Sequence, residues 1–118
     1  MINWKIINTK RADSDLCDIA NYIKYNLQSP DTARKIVDAI VDNIESLNDM
    51  PDRFPLYGSE PWHHRGLRKI IVGRYIIFYI AVRGTSEVIV ITIMHGSRNV
   101  DKILQSLDKK LLEYGDNN

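Results

Sequence analysis

The stretch Gly66–Arg98, GLRKIIVGRYIIFYIAVRGTSEVIVITIMHGSR, decides the fold. It contains three runs rich in β-branched and aromatic residues: Leu67–Val72, Tyr75–Arg83 and Glu87–Met94. The joins between them are Gly73-Arg74 and Gly84-Thr85-Ser86. Short joins that contain glycine, placed between such runs, are a strong hairpin signal. The stretch therefore predicts three consecutive antiparallel strands.

Tight joins also predict a register and two faces for this sheet. Arg68 would lie opposite Tyr79, Tyr75 opposite His95, and Arg83 opposite Glu87. Alternation along each strand then divides the side chains between two faces. The first face would hold Arg68, Ile70, Val72, Tyr75, Ile77, Tyr79, Ile89, Ile91, Ile93 and His95. The second would hold Leu67, Lys69, Ile71, Ile76, Phe78, Ile80, Val82, Val88, Val90, Thr92 and Met94.

Both faces of the predicted sheet are apolar, whereas an antiparallel sheet commonly leaves one face in water. We expect two preceding helices, Thr9 to Asn26 and Ser29-Pro30 to about Leu47, to form a hairpin that covers one face. A last helix capped by Asn99, or another protein, would cover the other. With a short edge strand at Asn3–Asn8, the order is β-α-α-β-β-β-α, an α+β fold.

Two further expectations concern the packing of this chain. The apolar stripe of the first helix is Leu16, Ile19, Ala20, Ile23 and Leu27, and acidic residues that include Asp15 would lie on its solvated side. The stretch from Asn48 to Arg65 contains three prolines and a glycine, which exclude regular structure. Its Phe54, Tyr57 and Trp62 favour a packed connector over a binding loop, although loops often carry function.

The length of 118 residues predicts a single domain spanning residues 1–118, with residues 115–118 as a disordered tail. The amino terminus lacks the pattern of a signal peptide, and no run is apolar enough for a membrane span. Cys17 is the single cysteine, which excludes an internal disulfide and fits the reducing cytoplasm. We expect its thiol to be buried or half-buried.

Charge is concentrated on the predicted sheet. The protein has a net charge of +1, yet residues 61–98 hold six Lys or Arg side chains against Glu87 alone, a net +5. A local basic surface attracts anionic partners, although arginines also protect sheet edges from aggregation. The candidate residues for binding a target or partner are Arg68, Lys69, Arg74, Tyr75, Phe78, Tyr79, His95 and Arg98. We expect Tyr75 and Tyr79 to be core side chains. For Arg68 and Arg98, a role in binding and a role as charges at the rim of the sheet both stay open.

No familiar catalytic or metal-binding motif accompanies these residues. His63 and His64 are adjacent, and neither Cys17 nor His95 has a partner at metal-ligand spacing. Glycine-rich phosphate loops and nucleophile elbows are absent from the sequence, and Ser97 lacks the setting of a triad serine. The sequence predicts no metal and no cofactor.

Four segments together resemble the RelE/ParE superfamily, the toxins of type II toxin–antitoxin modules. They are the helical pair ADSDLCDIANYI…SPDTARKIVDAI, the loop LNDMPDRFPLYG, the run GLRKIIVGRYIIFYIAV and the ending IVITIMHGSRNVDKIL. They cover nearly the whole chain, and the long helices and the HGSR ending look more like the ParE branch. The resemblance implies a helix-on-sheet fold and an antitoxin partner, either in a hetero-oligomer or alongside a toxin homodimer.

The superfamily divides by mechanism. RelE-type members cut mRNA on the ribosome with basic side chains, and the matching positions here are Leu67, Lys69, Ile76, Arg98 and Leu104. Two of the five are basic, whereas proton transfer and stabilisation of a charged phosphorane need donors where charge develops. ParE-type members poison DNA gyrase and lack that set, so the resemblance favours a gyrase inhibitor that causes growth arrest under stress.

Two alternatives remain at the level of sequence. One is a ribosome-dependent mRNA endonuclease in which Lys69, His95 and Arg98 act on the message. The other is a non-toxic binding module that retains the fold.

Overall fold

The computed structural model describes residues 3–107, which form a four-stranded sheet with helices on both faces. The strands are β1 (Lys5–Asn8), β2 (Leu67–Val72), β3 (Tyr75–Val82) and β4 (Glu87–His95). The helices are α1 (Lys10–Asn21), α2 (Pro30–Glu45) and α3 (Val100–Ser106). The predicted α+β order is confirmed, and the predicted tail lies outside the described residues. No helix between residues 3 and 107 is long and apolar enough to cross a membrane.

The sheet has the strand order β1-β4-β3-β2. β2, β3 and β4 form the predicted antiparallel meander, with Arg68 opposite Tyr79 and Tyr75 opposite His95. β1 pairs with β4 in parallel at one edge, where Ile6 lies beside Val88. The predicted position of the first strand at an edge is therefore confirmed.

A β-bulge in β4 overturns part of the predicted register. Phe78 lies opposite Thr92 and Tyr79 opposite Val90, which leaves Ile91 as an extra residue on β4. The extra residue shifts the register by one, so Glu87 lies opposite Val82 and not opposite Arg83. It also reverses the face on which each side chain of β4 before Thr92 lies. The predicted faces are wrong for four residues of β4, the bulged Ile91 and the three before it: Val88, Ile89 and Val90.

The first turns of α1 satisfy the backbone groups that the bulge frees. The Thr9 hydroxyl donates to the carbonyl oxygens of Val90 (2.8 Å) and Ile91 (3.0 Å) and accepts from the Ala12 amide as the N-cap of α1. A carboxylate oxygen of Asp15 accepts from the Thr92 hydroxyl and from the Ile93 amide. The prediction that Asp15 is solvated was wrong, because the bulge gives its carboxylate buried donors.

Two apolar cores lie on the two faces of the sheet. The first joins α1 and α2 to Ile70, Ile77 and Val90. The second places Leu104 and Leu107 at the carboxyl-terminal end, together with Trp62, against Phe78 and Ile91. The chain therefore covers both faces itself, as the doubly apolar sheet required.

The turn between α1 and α2 differs from the predicted helix ends. A single π-helical turn occupies Tyr22–Asn26, and its wider spacing changes the angular position of the residues that follow. Leu27, predicted to belong to the buried stripe, is instead 59% exposed. Cys17 is exposed, contrary to expectation, because it lies off the stripe that faces the sheet.

The long segment between α2 and β2 is a packed connector, as predicted. Trp62 is buried, the Tyr79 hydroxyl donates to the Pro51 carbonyl, and the Arg68 guanidinium donates to the Phe54 carbonyl at 2.6 Å. Residues 55–57 also pair along the free edge of β2 through Leu56 and Arg68. These bonds fix the connector to the sheet at several points.

Candidate functional site

An open groove of about 1090 Å³ lies between the helical hairpin and the end of the sheet. Its helical wall includes Ile19 of α1 and Ile36 and Ala39 of α2. Its sheet wall includes Val72 at the end of β2 and Ile93 on β4. These wall residues are apolar because they continue the first core, which packs between the hairpin and the sheet. At the groove, no other part of the described chain covers them.

The π-helical turn supplies the outer lip of the groove. Tyr22 and Leu27 line it and are 54% and 59% exposed, respectively. Large apolar side chains that are exposed together at the rim of a concave surface indicate a binding site for an apolar partner. Tyr25 is also exposed but lies outside the groove lining, with the Lys24 ammonium 5.2 Å from its ring centre.

Another part of the groove lining, which we call its mouth, is basic. Arg74 in the β2–β3 turn and Arg98 after β4 both line it, and the Gly96 amide holds the two segments together by donating to the Arg74 carbonyl at 2.7 Å. Lys35 adds a third cation from α2. The Asp15 and Asp18 carboxylates also line the groove, but Asp15 is engaged by Arg11, Thr92 and Ile93.

His95 and Tyr75 form a fixed pair within this mouth. Their rings meet edge to face with centres 5.2 Å apart. The Ser97 amide donates to His95 Nδ1 at 3.1 Å, so Nδ1 acts as an acceptor in this contact. Burial raises the pKa of Tyr75 above the ordinary value of a phenol.

This arrangement suits recognition of an amphipathic protein segment. Apolar walls can bury one face of a helix, and the cations at the mouth can pair with its carboxylates. Within residues 3–107, no three His, Cys, Asp or Glu side chains meet in a group able to hold a metal ion.

The sequence matches the family model described as the ParE toxin of the type II toxin–antitoxin system parDE, over residues 6–100. The chain belongs to the ParE toxin family. The match covers most of the chain, including both helices of the hairpin and all of the sheet except Lys5. A comparison with curated protein sequences found no match to this chain.

Solved structures have the same fold at low sequence identity. One is the chromosomal ParDE toxin–antitoxin system from P. aeruginosa, with a TM-score of 0.65 and 22% identity over 80% of this chain and 98% of that one. Another is the RelBE2 toxin–antitoxin complex from Mycobacterium tuberculosis, with a TM-score of 0.59 and 18% identity over 80% and 93% of the two chains. The likeness shows that this ParE-family chain has the fold of both branches.

Four of the eight candidate residues meet at the groove of this ParE-family chain. Arg74, Tyr75, His95 and Arg98 line its mouth, whereas Phe78 and Tyr79 are fully buried in the two cores. Arg68 is tied to the connector through the Phe54 carbonyl. Tyr75 and Tyr79 are buried, as predicted.

Lys69 lies apart from the groove. It pairs with Phe78 across β2 and β3, and its ammonium lies 5.7 Å from the ring centre of Tyr57. Phe78 and Tyr57 belong to the second core, whereas Tyr75 belongs to the first. The sheet therefore separates Lys69 from His95 and Arg98.

The sequence pattern did not indicate the helical half of the groove. Tyr22, Lys35 and Leu27 were not among the candidates, although Tyr22 and Tyr25 are aromatic residues off the buried stripe. Aromatic side chains on the polar side of an amphipathic helix were the available signal.

Proposed function

We propose that this ParE-family toxin inhibits DNA gyrase and that a cognate antitoxin neutralises it by placing an amphipathic helix in the groove. Membership of the ParE family supports both parts. The observation that carries the choice of gyrase over mRNA is the separation of Lys69 from His95 and Arg98 by the sheet. A nuclease centre needs its acid, base and charge stabilisers around one scissile phosphate.

The residues at the positions matched to the RelE set support the same proposal. Leu67 and Leu104 are fully buried in the second core, and Ile76 packs against that core. Buried aliphatic side chains stabilise the fold and supply neither a proton nor a positive charge. These positions therefore serve packing in this chain.

A second candidate is the ribosome-dependent mRNA endonuclease, and one observation favours it. The His95 imidazole lies at the groove mouth that Arg74 and Arg98 also line, which is chemistry suited to an RNA phosphate. This candidate would use His95 and Arg98 without Lys69.

The antitoxin part of the proposal rests on the lip and mouth of the groove. A helix whose apolar residues touch Tyr22, Leu27 and Ile36 would bury surface that is otherwise open to water. Carboxylates on its flank would meet Arg74 and Arg98. Such a helix would cover the mouth at His95 and would also hold the hairpin against the sheet.

The deciding experiment measures gyrase supercoiling and ribosome-dependent mRNA cleavage with the same purified protein. Inhibited supercoiling with intact message supports the proposal, and cleaved message with active gyrase overturns it. The variants Lys69→Ala, His95→Ala and Arg98→Ala then distinguish the nuclease forms. Cleavage that survives Lys69→Ala but not His95→Ala would establish a nuclease that uses His95 and Arg98 without Lys69. A protein that leaves growth, gyrase and mRNA unaffected would be a binding module.

A further inference from the structure

Met50 has a backbone conformation that its side chain disfavours. Its φ of 51° and ψ of 61° place it in the left-handed region, and the following Pro51 disfavours the right-handed helical alternative. Gln28 and Ser86 are the other non-glycine residues with positive φ among residues 3–107, and both are polar. Glycine or asparagine would satisfy this backbone more easily.

The Met50 side chain is nevertheless presented to solvent. It is 66% exposed, although its immediate neighbour Pro51 is buried. An exposed apolar side chain on an unfavourable backbone does not stabilise the fold through burial or through local preference. Such outliers support a hypothesis of function.

The surrounding segment, residues 46–53, holds Met50 in place; we name it the Met50 loop. The Arg53 guanidinium donates to the carbonyl oxygens of Ser46 (3.2 Å), Asp49 (2.6 Å) and Met50 (3.3 Å) and to the Ser46 hydroxyl (2.7 Å). The Tyr79 hydroxyl holds the Pro51 carbonyl from the core. A loop fixed in this way loses little conformational entropy when it binds.

The charged groups around Met50 are of both signs. Asp49 is exposed beside it, and the Asp52 carboxylate is held by Arg83 at 2.6 Å. The Arg53 guanidinium donates to uncharged oxygens of the loop and therefore keeps its positive charge. A partner surface that fits this arrangement has an apolar pocket bordered by polar side chains of both charge signs.

We propose that the Met50 loop is the surface by which this toxin binds its protein target, with Met50 as the anchor in an apolar pocket that has a polar rim. The inference rests on the proposed toxin function. The groove is lined by α2 residues 32–39, whereas the Met50 loop follows the carboxyl end of α2. Target and antitoxin therefore use different surfaces.

The test compares Met50→Asn with Met50→Leu and with the control Ile71→Thr. Asparagine suits the left-handed backbone but removes the apolar side chain, and leucine keeps it. Ile71 is 64% exposed on the edge strand β2, so Ile71→Thr removes a comparable apolar surface elsewhere. Each full-length protein is assayed for growth arrest on expression, for inhibition of gyrase supercoiling and for its thermal midpoint.

We expect Met50→Asn to reduce the potency of inhibition about 10-fold or more without lowering the thermal midpoint, as for an anchor residue. Met50→Leu and Ile71→Thr should retain the potency of the wild type. The proposal is overturned if Met50→Asn is as potent as the wild type, if Met50→Leu loses as much, or if Ile71→Thr loses as much.

The two proposals fail in distinguishable ways. If the wild type arrests growth while gyrase stays active, the choice of gyrase fails, and the same comparison of growth arrest decides the role of Met50. If the wild type neither arrests growth nor inhibits gyrase, both proposals are overturned.

Discussion

The Asp15 carboxylate of α1 accepts hydrogen bonds from the hydroxyl of Thr92 and from the neighbouring Ile93 amide, at the bulge in β4. One acidic side chain thereby fixes the helical hairpin to the sheet at the place where the strand loses its regular pairing. The same carboxylate lines the groove. The position of α1, and with it one wall of the groove, depends on this contact.

Asp15→Ala should lower the free energy of unfolding by about 1–3 kcal/mol, because the Thr92 hydroxyl and the Ile93 amide lose their acceptor. Urea denaturation measures the change. Asp13→Ala in the same helix is the control, since Asp13 is exposed, and we expect it to stay within about 0.5 kcal/mol of the wild type. Equal effects of the two variants would contradict a structural role for the Asp15 carboxylate.

The Tyr79 phenol should make stability fall at high pH. Burial raises its pKa to about 12 from 10, so the folded protein holds this proton more tightly than the unfolded chain. Its contribution is complete below pH 10 and is lost as pH rises through 12. Tyr79→Phe should flatten the decline of the free energy of unfolding between pH 10 and pH 12. An unchanged slope would contradict this assignment.

Tyr79→Phe should also destabilise the protein at neutral pH. The Pro51 carbonyl would lose its donor from the core, at a cost of about 1–3 kcal/mol. Urea denaturation at pH 7 measures this loss. Amide exchange in residues 49–53 should rise at the same time, and unchanged exchange there would show that the connector is held by its other contacts.

Tyr22→Ala should weaken antitoxin binding about 10-fold or more, because Tyr22 forms the lip of the groove. Tyr25→Ala is the matched control, since Tyr25 is on the same π-helical turn and is similarly exposed but lies outside the groove lining. Titration calorimetry with the cognate antitoxin measures both. Equal losses from the two variants would place the antitoxin elsewhere than in the groove.

Tyr57→Phe should loosen α3. The Tyr57 hydroxyl donates to the Asp101 carboxylate at 2.6 Å, and burial together with that carboxylate raises the pKa of Tyr57 to about 12. Without the hydroxyl, amide exchange in α3 should rise, whereas exchange in α2 should not. Asp101→Asn keeps an acceptor oxygen and should have a smaller effect. Unchanged exchange in α3 would show that Leu104 and Leu107 hold the helix by themselves.

The sequence by itself determined the element order, the antiparallel meander and the pairing of Tyr75 with His95. These follow from short-range signals: glycine at the joins, alternation along strands and helical periodicity. It also determined that both faces of the sheet must be covered, because neither is polar. The resemblance to the ParE branch came from the same segments and agrees with the family match over residues 6–100.

Tertiary structure decided the bulge, the groove and the grouping of the candidate residues. The bulge at Ile91 depends on donors and acceptors that Thr9 and Asp15 supply from more than 75 residues away along the chain. The π-helical turn exposed Leu27, and the packing of the hairpin on the sheet brought Arg74, His95 and Arg98 into the lining of one groove. Local patterns specify which elements form, but contacts between distant segments decide which side chains meet.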